Sequence, residues 1–370
     1  MAKTADYGLG KFDFPRGWFM IAESSELQDK PQGVRFFGKD FALYRGKSGR
    51  VVMLDAYCPH MKTHLAKNTT SYVVIDNGGT NIEGDSIRCP YHGWRINAEG
   101  KVDDIPYSPE PPPPSACVKS YRLAEAMGAV WFWHDAEGGE PEWELDVLPQ
   151  WNDPAWVRWS LASLGMLDQH PMELLDNIAD YPHLDPIHGA HTNRFENEFQ
   201  EHKVIQRQAG PHRDMLGEPG TPPVDLINIT TYHGPGLLIS DMRMPNADTV
   251  IAITHTPVDD GRVKVWHGLM VKGMSGSTQH TAEDAAEAHA LEAQNRLGFA
   301  QDFEVWQHKA PCFQGMYVAG DGPFRKVRQW YRQFYNPRRQ KDEFTPPAGQ
   351  RYLAKGVAPF TPVAEFPETV

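Results

Sequence analysis

Two short segments, Cys58-Pro59-His60 and Cys89-Pro90-Tyr91-His92-Gly93-Trp94, each bring one thiol and one imidazole within a few residues of each other. Two thiolates and two neutral imidazoles on two loops can hold a metal centre. A [2Fe–2S] cluster with both thiolates on one iron and both imidazoles on the other needs that set. A loop carrying one of each touches both irons. The proline after each cysteine restricts the loop, and Gly93 permits close approach. A structural zinc ion accepts the same residue types, although zinc loops more often pair cysteines within one loop. The spacer between His60 and Cys89 is 28 residues long. Its middle, residues 76–81, is rich in turn formers and reads as a lengthened hairpin.

A second set lies between Asp176 and His188. Pro171 suits the first position of a helix. Along that helix Asn177, Asp180 and His183 or Leu184 recur at steps of three, near one face. His183 and His188 are too far out of phase to share a face of a regular helix. Pro182 and Pro186 are expected to break or kink it so that the imidazoles converge. Two histidines with an open face suit non-haem Fe(II), which also needs a carboxylate. Thr281-Ala282-Glu283-Asp284 resembles a capping box and starts a long helix running to about Lys309. On it Phe299, Asp302, Phe303 and Trp306 share a face. An aspartate among aromatic side chains is costly unless paired or metal-bound, so Asp302 is the natural third ligand. A surface cap or salt bridge is the alternative for it. His64, His134, His170, His191 and His308 show no partner pattern.

The elements that must position these residues fall into two parts, 1–150 and 151–370, with the boundary near Pro149–Pro154. The first alternates short β-rich runs with Gly, Pro and Asn turns and reads as an all-β module. The second mixes β-rich stretches with at least two helices, an α+β pattern. No run of about 18 apolar residues is present to span a membrane, and the first residues lack an apolar signal region. Cys117 and Cys312 read as small buried thiols, and the four cysteines fit a reducing cytoplasm. The net charge of −12 argues against nucleic acid as a partner. Arg325, Lys326, Arg328, Arg332, Arg338, Arg339 and Lys341 reverse that sign locally, with aromatic residues between them. They read either as a solvated face or as a docking patch for an acidic iron–sulfur domain.

The C-x-H…C-x-x-H loops, the N-x-x-D-x-x-H-x-x-x-x-H segment and a late helical aspartate resemble, in that order, the oxygenase component of a Rieske non-haem iron oxygenase. Lys62 stands where many Rieske loops carry glycine. The nearest resemblance is to the 3-ketosteroid 9α-hydroxylase oxygenases, through Cys89–Arg95, Asp103–Tyr107, Gln301–Trp306 and the run from Asp321 to Tyr335. The resemblance implies a Rieske domain followed by a helix-grip-like antiparallel sheet with helices. It implies that Cys58, His60, Cys89 and His92 hold the cluster, and that His183, His188 and Asp302 hold a mononuclear iron. Asp180 matches the family's bridging aspartate, which links His183 to His92 of the partner subunit in a ring-shaped homotrimer. Asn177 belongs to the same motif. The implied activity is steroid hydroxylation with O2, driven by NADH through a separate flavin and iron–sulfur reductase. The alternative is a Rieske oxygenase acting on another hydrophobic or aromatic substrate by ring hydroxylation, demethylation or desaturation.

Overall fold

The computed structural model describes residues 1–213, 221–245 and 247–360. The first part is built of short antiparallel strands: Gly17–Glu23 (β1), Gln32–Phe36 (β2), Lys39–Arg45 (β3), Val51–Asp55 (β4), Ile82–Glu83 (β5), Ser86–Arg88 (β6), Arg95–Ile96 (β7), Val102–Asp104 (β8), Leu123–Ala126 (β9) and Ala129–His134 (β10). They form three sheets, ordered β1-β10-β9, β2-β3-β4 and β5-β6-β7-β8. Strand β3 is buried on both faces. Phe41 and Leu43 enter one core, and Ala42 and Tyr44 enter a second that also holds Cys58 and Cys89. The long spacer is not a hairpin over residues 76–81. A short helix, Tyr72–Ile75 (α1), precedes a turn, and the hairpin that follows joins β5 to β6. The turn formers close that helix, with Gly79 N donating back to Val74 O.

The second part begins with Trp156–Val157 (β11) and Ala162–Leu167 (β12), then the helices Pro171–Leu175 (α2) and Leu184–His188 (α3). Strands Arg194–Gln200 (β13), Lys203–His212 (β14), Val224–His233 (β15), Leu237–Met244 (β16), Ala247–Asp259 (β17) and Arg262–Lys272 (β18) follow. Helices Ala282–His308 (α4) and Phe324–Tyr331 (α5) and strand Gln350–Leu353 (β19) come later. One antiparallel sheet runs β11-β18-β17-β16-β15-β14-β13-β19, with β12 also paired to β18. Strand β17 uses its period of two on both faces. Val250 and Ala252 join the core shared with Trp18, Phe19 and Met20 of β1, while Thr249, Ile251, Ile253 and His255 face a cavity. Helix α4 lies across that cavity and packs on β18. Its capping box forms as expected, Thr281 and Asp284 each accepting from the other's backbone N–H. The whole is an α+β fold. No helix among the described residues is long and apolar enough to cross a membrane.

Two further expectations change. Cys117 is exposed and Cys312 half-buried rather than both being core thiols, because Cys117 lies on an edge bridge opposite Lys101. The basic run is not uniformly free. Arg328 pairs with Asp176, and Arg338 pairs with Asp135 and donates to Glu140 O. Arg325, Lys326, Arg332, Arg339 and Lys341 remain exposed.

Candidate metal centres

The two Cys/His loops leave β4 and β6 and are built alike. Lys62 N donates to Cys58 O at 3.0 Å, and Gly93 N donates to Cys89 O at 3.0 Å. The residue closing each turn is left-handed, Lys62 with φ 58° and Gly93 with φ 74°. Lys62 therefore occupies the position that Gly93 fills in the second loop, at a conformational cost that glycine avoids. The turns bring Cys58 and Cys89 together at 1% exposure each. The Cys58 thiol donates to Cys89, which lowers the Cys89 pKa and raises that of Cys58. Backbone N–H groups of His60 and Met61 point at Cys58, and those of Tyr91 and His92 at Cys89. Such donors favour thiolate. The His60 and His92 rings lie 4.6 Å apart, and His60 stacks on Trp94 at an interplanar angle of 3°. His60 is exposed and His92 partly so. The sulfur side of the site is thus buried and its imidazole edge faces outward, which fits an asymmetrically ligated [2Fe–2S] cluster.

The second centre rests on a broken helical segment. Helix α2 passes into a 3-10 turn, Asp176–Ala179, and Asp180 (φ −93°, ψ 71°) interrupts it before a further 3-10 turn, Tyr181–His183, leads into α3. The break falls at Asp180, ahead of both prolines. Pro182 sits in the first turn of the piece that follows, where its missing N–H costs nothing, and Pro186 lies inside the five-residue α3. Gly189, left-handed with φ 67°, ends α3 just after His188.

Helix α4 carries Asp302 to these histidines. One donor atom each from His183, His188 and Asp302 lie within 4.8 Å of one another. His188 Nε2 is 3.2 Å from Asp302 Oδ2, and His183 Nε2 is 3.8 Å from Asp302 Oδ1. Asp302 is 9% exposed, and among the described residues its ion-pair partners are these two imidazoles alone. A buried carboxylate with no cationic side chain beside it fits a cation-binding triad. The far ring nitrogens are held from behind. His188 Nδ1 meets Gln301 Oε1 at 3.2 Å, and His183 Nδ1 meets the Asp180 backbone oxygen, with the Asp180 carboxylate 3.7 Å away. Burial opposes a charge on His183, but Asp180 and Asp302 outweigh it and raise its pKa. Asn177 Nδ2 lies 3.2 Å from His183 Nε2. The Asp180 side chain is 39% exposed, so its carboxylate also faces outward.

Sequence reasoning missed the support beneath the triad. Gln301 stood beside Asp302 in the motif without a role. Arg328 Nε donates to Asp176 Oδ1 at 2.9 Å, and its other nitrogens reach Cys312 O and Phe313 O, tying α5 and the loop before it to the segment that carries Asn177. Glu173 accepts from Tyr7, Lys309 and Cys312 N, which pins α2 to the end of α4.

Comparison with known proteins agrees with this layout. Residues 17–122 match the Rieske [2Fe-2S] domain, and residues 132–335 match the 3-ketosteroid 9alpha-hydroxylase C-terminal domain. A 3-ketosteroid-9-alpha-monooxygenase oxygenase component of Rhodococcus rhodochrous is 32% identical over 87% of this chain and 81% of its own. Cholesterol 7-desaturase nvd 2 of Ciona intestinalis is 26% identical over 87% of this chain and 72% of its own. Among solved structures, dicamba monooxygenase with non-heme iron and dicamba superposes with a TM-score of 0.60 at 19% identity, covering 89% of this chain and 96% of that one. A Pseudomonas putida CBB5 NdmA mutant with theobromine gives 0.64 at 18%, covering 88% and 90%.

Proposed function

We propose that this chain, which belongs to the Rieske non-haem iron oxygenases carrying the 3-ketosteroid 9α-hydroxylase C-terminal domain, hydroxylates a steroid, with the 9α position of a 3-ketosteroid the first to test. It is an oxygenase with a Rieske [2Fe–2S] cluster and a mononuclear iron. The observation that carries the steroid reading is the cavity beside the triad. It measures about 400 Å³ and is apolar over Leu226, Leu238, Ile251, Ile253, Leu269 and Phe299, with His183, His188 and Asp302 in its wall. That size and lining suit an apolar small molecule held largely out of water.

In this reading residues 1–150 and 151–370 are the cluster and catalytic units. Cys58, His60, Cys89 and His92 hold the cluster, and His183, His188 and Asp302 hold the mononuclear iron. When bound, the cluster relays single electrons and the mononuclear iron supplies oxygen activation. The chain's residues do the rest. Gln301 and Asp180 fix the orientation of the two imidazoles. Asn177 lines the cavity beside His183. Leu238, Ile253 and Phe299 exclude water from the substrate. The exposed Asp180 carboxylate supports the bridging role toward His92 of the partner subunit, and with it a homotrimer. Electrons come from NADH through a flavin and iron–sulfur reductase.

The test is turnover by the iron-loaded protein with such a reductase, NADH and O2. The substrate panel holds 3-ketosteroids, cholesterol, a chlorinated aromatic acid and a methylxanthine. The expected product is a ketosteroid heavier by one oxygen atom. Product from the aromatic acid or the methylxanthine alone would overturn the steroid reading, and a product lighter by two hydrogens would replace hydroxylation with desaturation.

A further inference from the structure

The floor of the cavity is divided. Leu238, Ile251, Ile253 and Leu269 form one side, and five polar side chains on three neighbouring strands form the other. Strand register sets these five in two rows. Gln206, Thr230 and Ser240 stand opposite one another across β14, β15 and β16, and Gln208 stands opposite Asn228. Gln206, Gln208, Thr230 and Ser240 are between 4% and 6% exposed. Polar groups withdrawn from water are costly unless bonded, so a wall that merely excluded water would carry aliphatic residues here.

The hydrogen bonds among them leave a defined remainder. Gln206 Nε2 donates to Gln208 Oε1 at 3.2 Å. Ser240 Oγ donates to Asn228 Oδ1 at 3.0 Å. Its one proton is used there, so Thr230 Oγ1 is the donor to Ser240 Oγ. Both amide oxygens, of Gln208 and of Asn228, are therefore engaged. Their amide nitrogens have no protein partner among the described residues and belong to the cavity lining. The two residues are paired on adjacent strands, which lie about 4.8 Å apart. Two N–H donors side by side match the two lone pairs of a single carbonyl oxygen.

Charge narrows the occupant further. No lysine or arginine is among the described residues lining the cavity. Arg207, between Gln206 and Gln208, points to the opposite face and pairs with Glu196 and Glu198. A carboxylate or phosphate would enter without a counter-ion, and a buried unpaired charge is far more costly than a bonded ketone.

We propose that the Gln208–Asn228 amide pair is the specificity-determining contact of this cavity. It receives the carbonyl oxygen of an uncharged, otherwise apolar substrate and so fixes which substrate carbon faces His183, His188 and Asp302. The proposal deepens the steroid reading and rests on it.

The experiment uses the full-length, metal-loaded protein and four analogues of one polycyclic skeleton: the ketone, the alcohol, the deoxy compound and a carboxylate. Binding is read by quenching of tryptophan fluorescence, and the position of hydroxylation is read from the products. Wild type is expected to bind the ketone about tenfold or more tighter than the deoxy compound, as one to two hydrogen bonds provide, and to bind the carboxylate weakest. Gln208→Met and Asn228→Leu should each reduce the ketone-to-deoxy ratio by about tenfold and spread hydroxylation over more carbons. A purely structural role would weaken all analogues alike. An unchanged ratio in the variants, an alcohol that binds tighter than the ketone, or a carboxylate that binds as well as the ketone overturns the proposal. If Asn228→Leu fails to fold, the wild-type series and Gln208→Met still decide. Ketones that bind in this pattern but are never hydroxylated would sink the steroid-hydroxylase reading and leave the contact standing. Ketones hydroxylated with the ratio unmoved would do the reverse.

Discussion

At the residue scale, the mononuclear centre is governed by what stands behind its imidazoles. Asp180 supplies its backbone oxygen to His183 Nδ1 while its carboxylate remains 39% exposed. The backbone contact survives Asp180→Asn, and the outward anionic acceptor does not. The variant should therefore keep cluster absorbance and its mononuclear iron, yet lose NADH-driven turnover by about 10- to 100-fold, the usual effect of removing an orienting partner. Full coupled turnover in Asp180→Asn would remove the bridging role. Gln301 shows the complementary case. It orients His188 from inside the fold, on the same helix as Asp302, so one element supplies both a carboxylate and a second-layer contact.

At the scale of elements, the segment from α2 to α3 is a chain of helical pieces of three to five residues each, so its neighbours must hold it. The loop before α5 lies directly against it. A Cβ added at Gly322 would come within 1.9 Å of Ala179 O, a backbone atom that cannot swing aside. Gly322→Ala must then displace the turn carrying Asn177 and Asp180. The expected result is loss of the mononuclear iron with the cluster retained, read as a fall in iron per acid-labile sulfide at constant visible absorbance. A variant that retains the full iron complement would show that the loop does not position the triad.

At the scale of the whole molecule, buried neutral histidines set the acid limit. His170, His255 and His267 are at most 1% exposed. Burial lowers their pKa values to about 3, 3 and 4, against roughly 6.5 in the unfolded chain. Below pH 6.5 the unfolded state takes up protons that the folded state refuses, so stability falls as pH falls from about 6.5 toward 4. Each such histidine contributes about 1.4 kcal/mol per pH unit within that window. Urea unfolding between pH 7.5 and 5 should show the decline. His267→Gln, which keeps a donor for Asn295, should make it shallower. Stability that stays level down to pH 5 would contradict the neutral burial of these groups.

The sequence by itself determined what is local. The ligands of each Cys/His loop lie within a few residues, so spacing translates directly into geometry, and the Thr281 capping box and the Phe299–Trp306 stripe are short-range patterns of one helix. In the second part β15, β16, β17 and β18 were legible from composition, whereas β11 to β14 and β19 were not. Tertiary structure decided the rest. Asp302 meets His183 and His188 only because α4 packs on β18 and closes the cavity over the sheet, and no periodicity encodes that placement. The break falls at Asp180, ahead of the prolines that signal it locally. Arg328 and Arg338 leave the basic surface because Asp176 and Asp135 are brought to them by the fold. The pairing of Gln208 with Asn228 depends on the β14–β15 register, where a slip of one residue in either strand would turn that strand's amide away from the cavity.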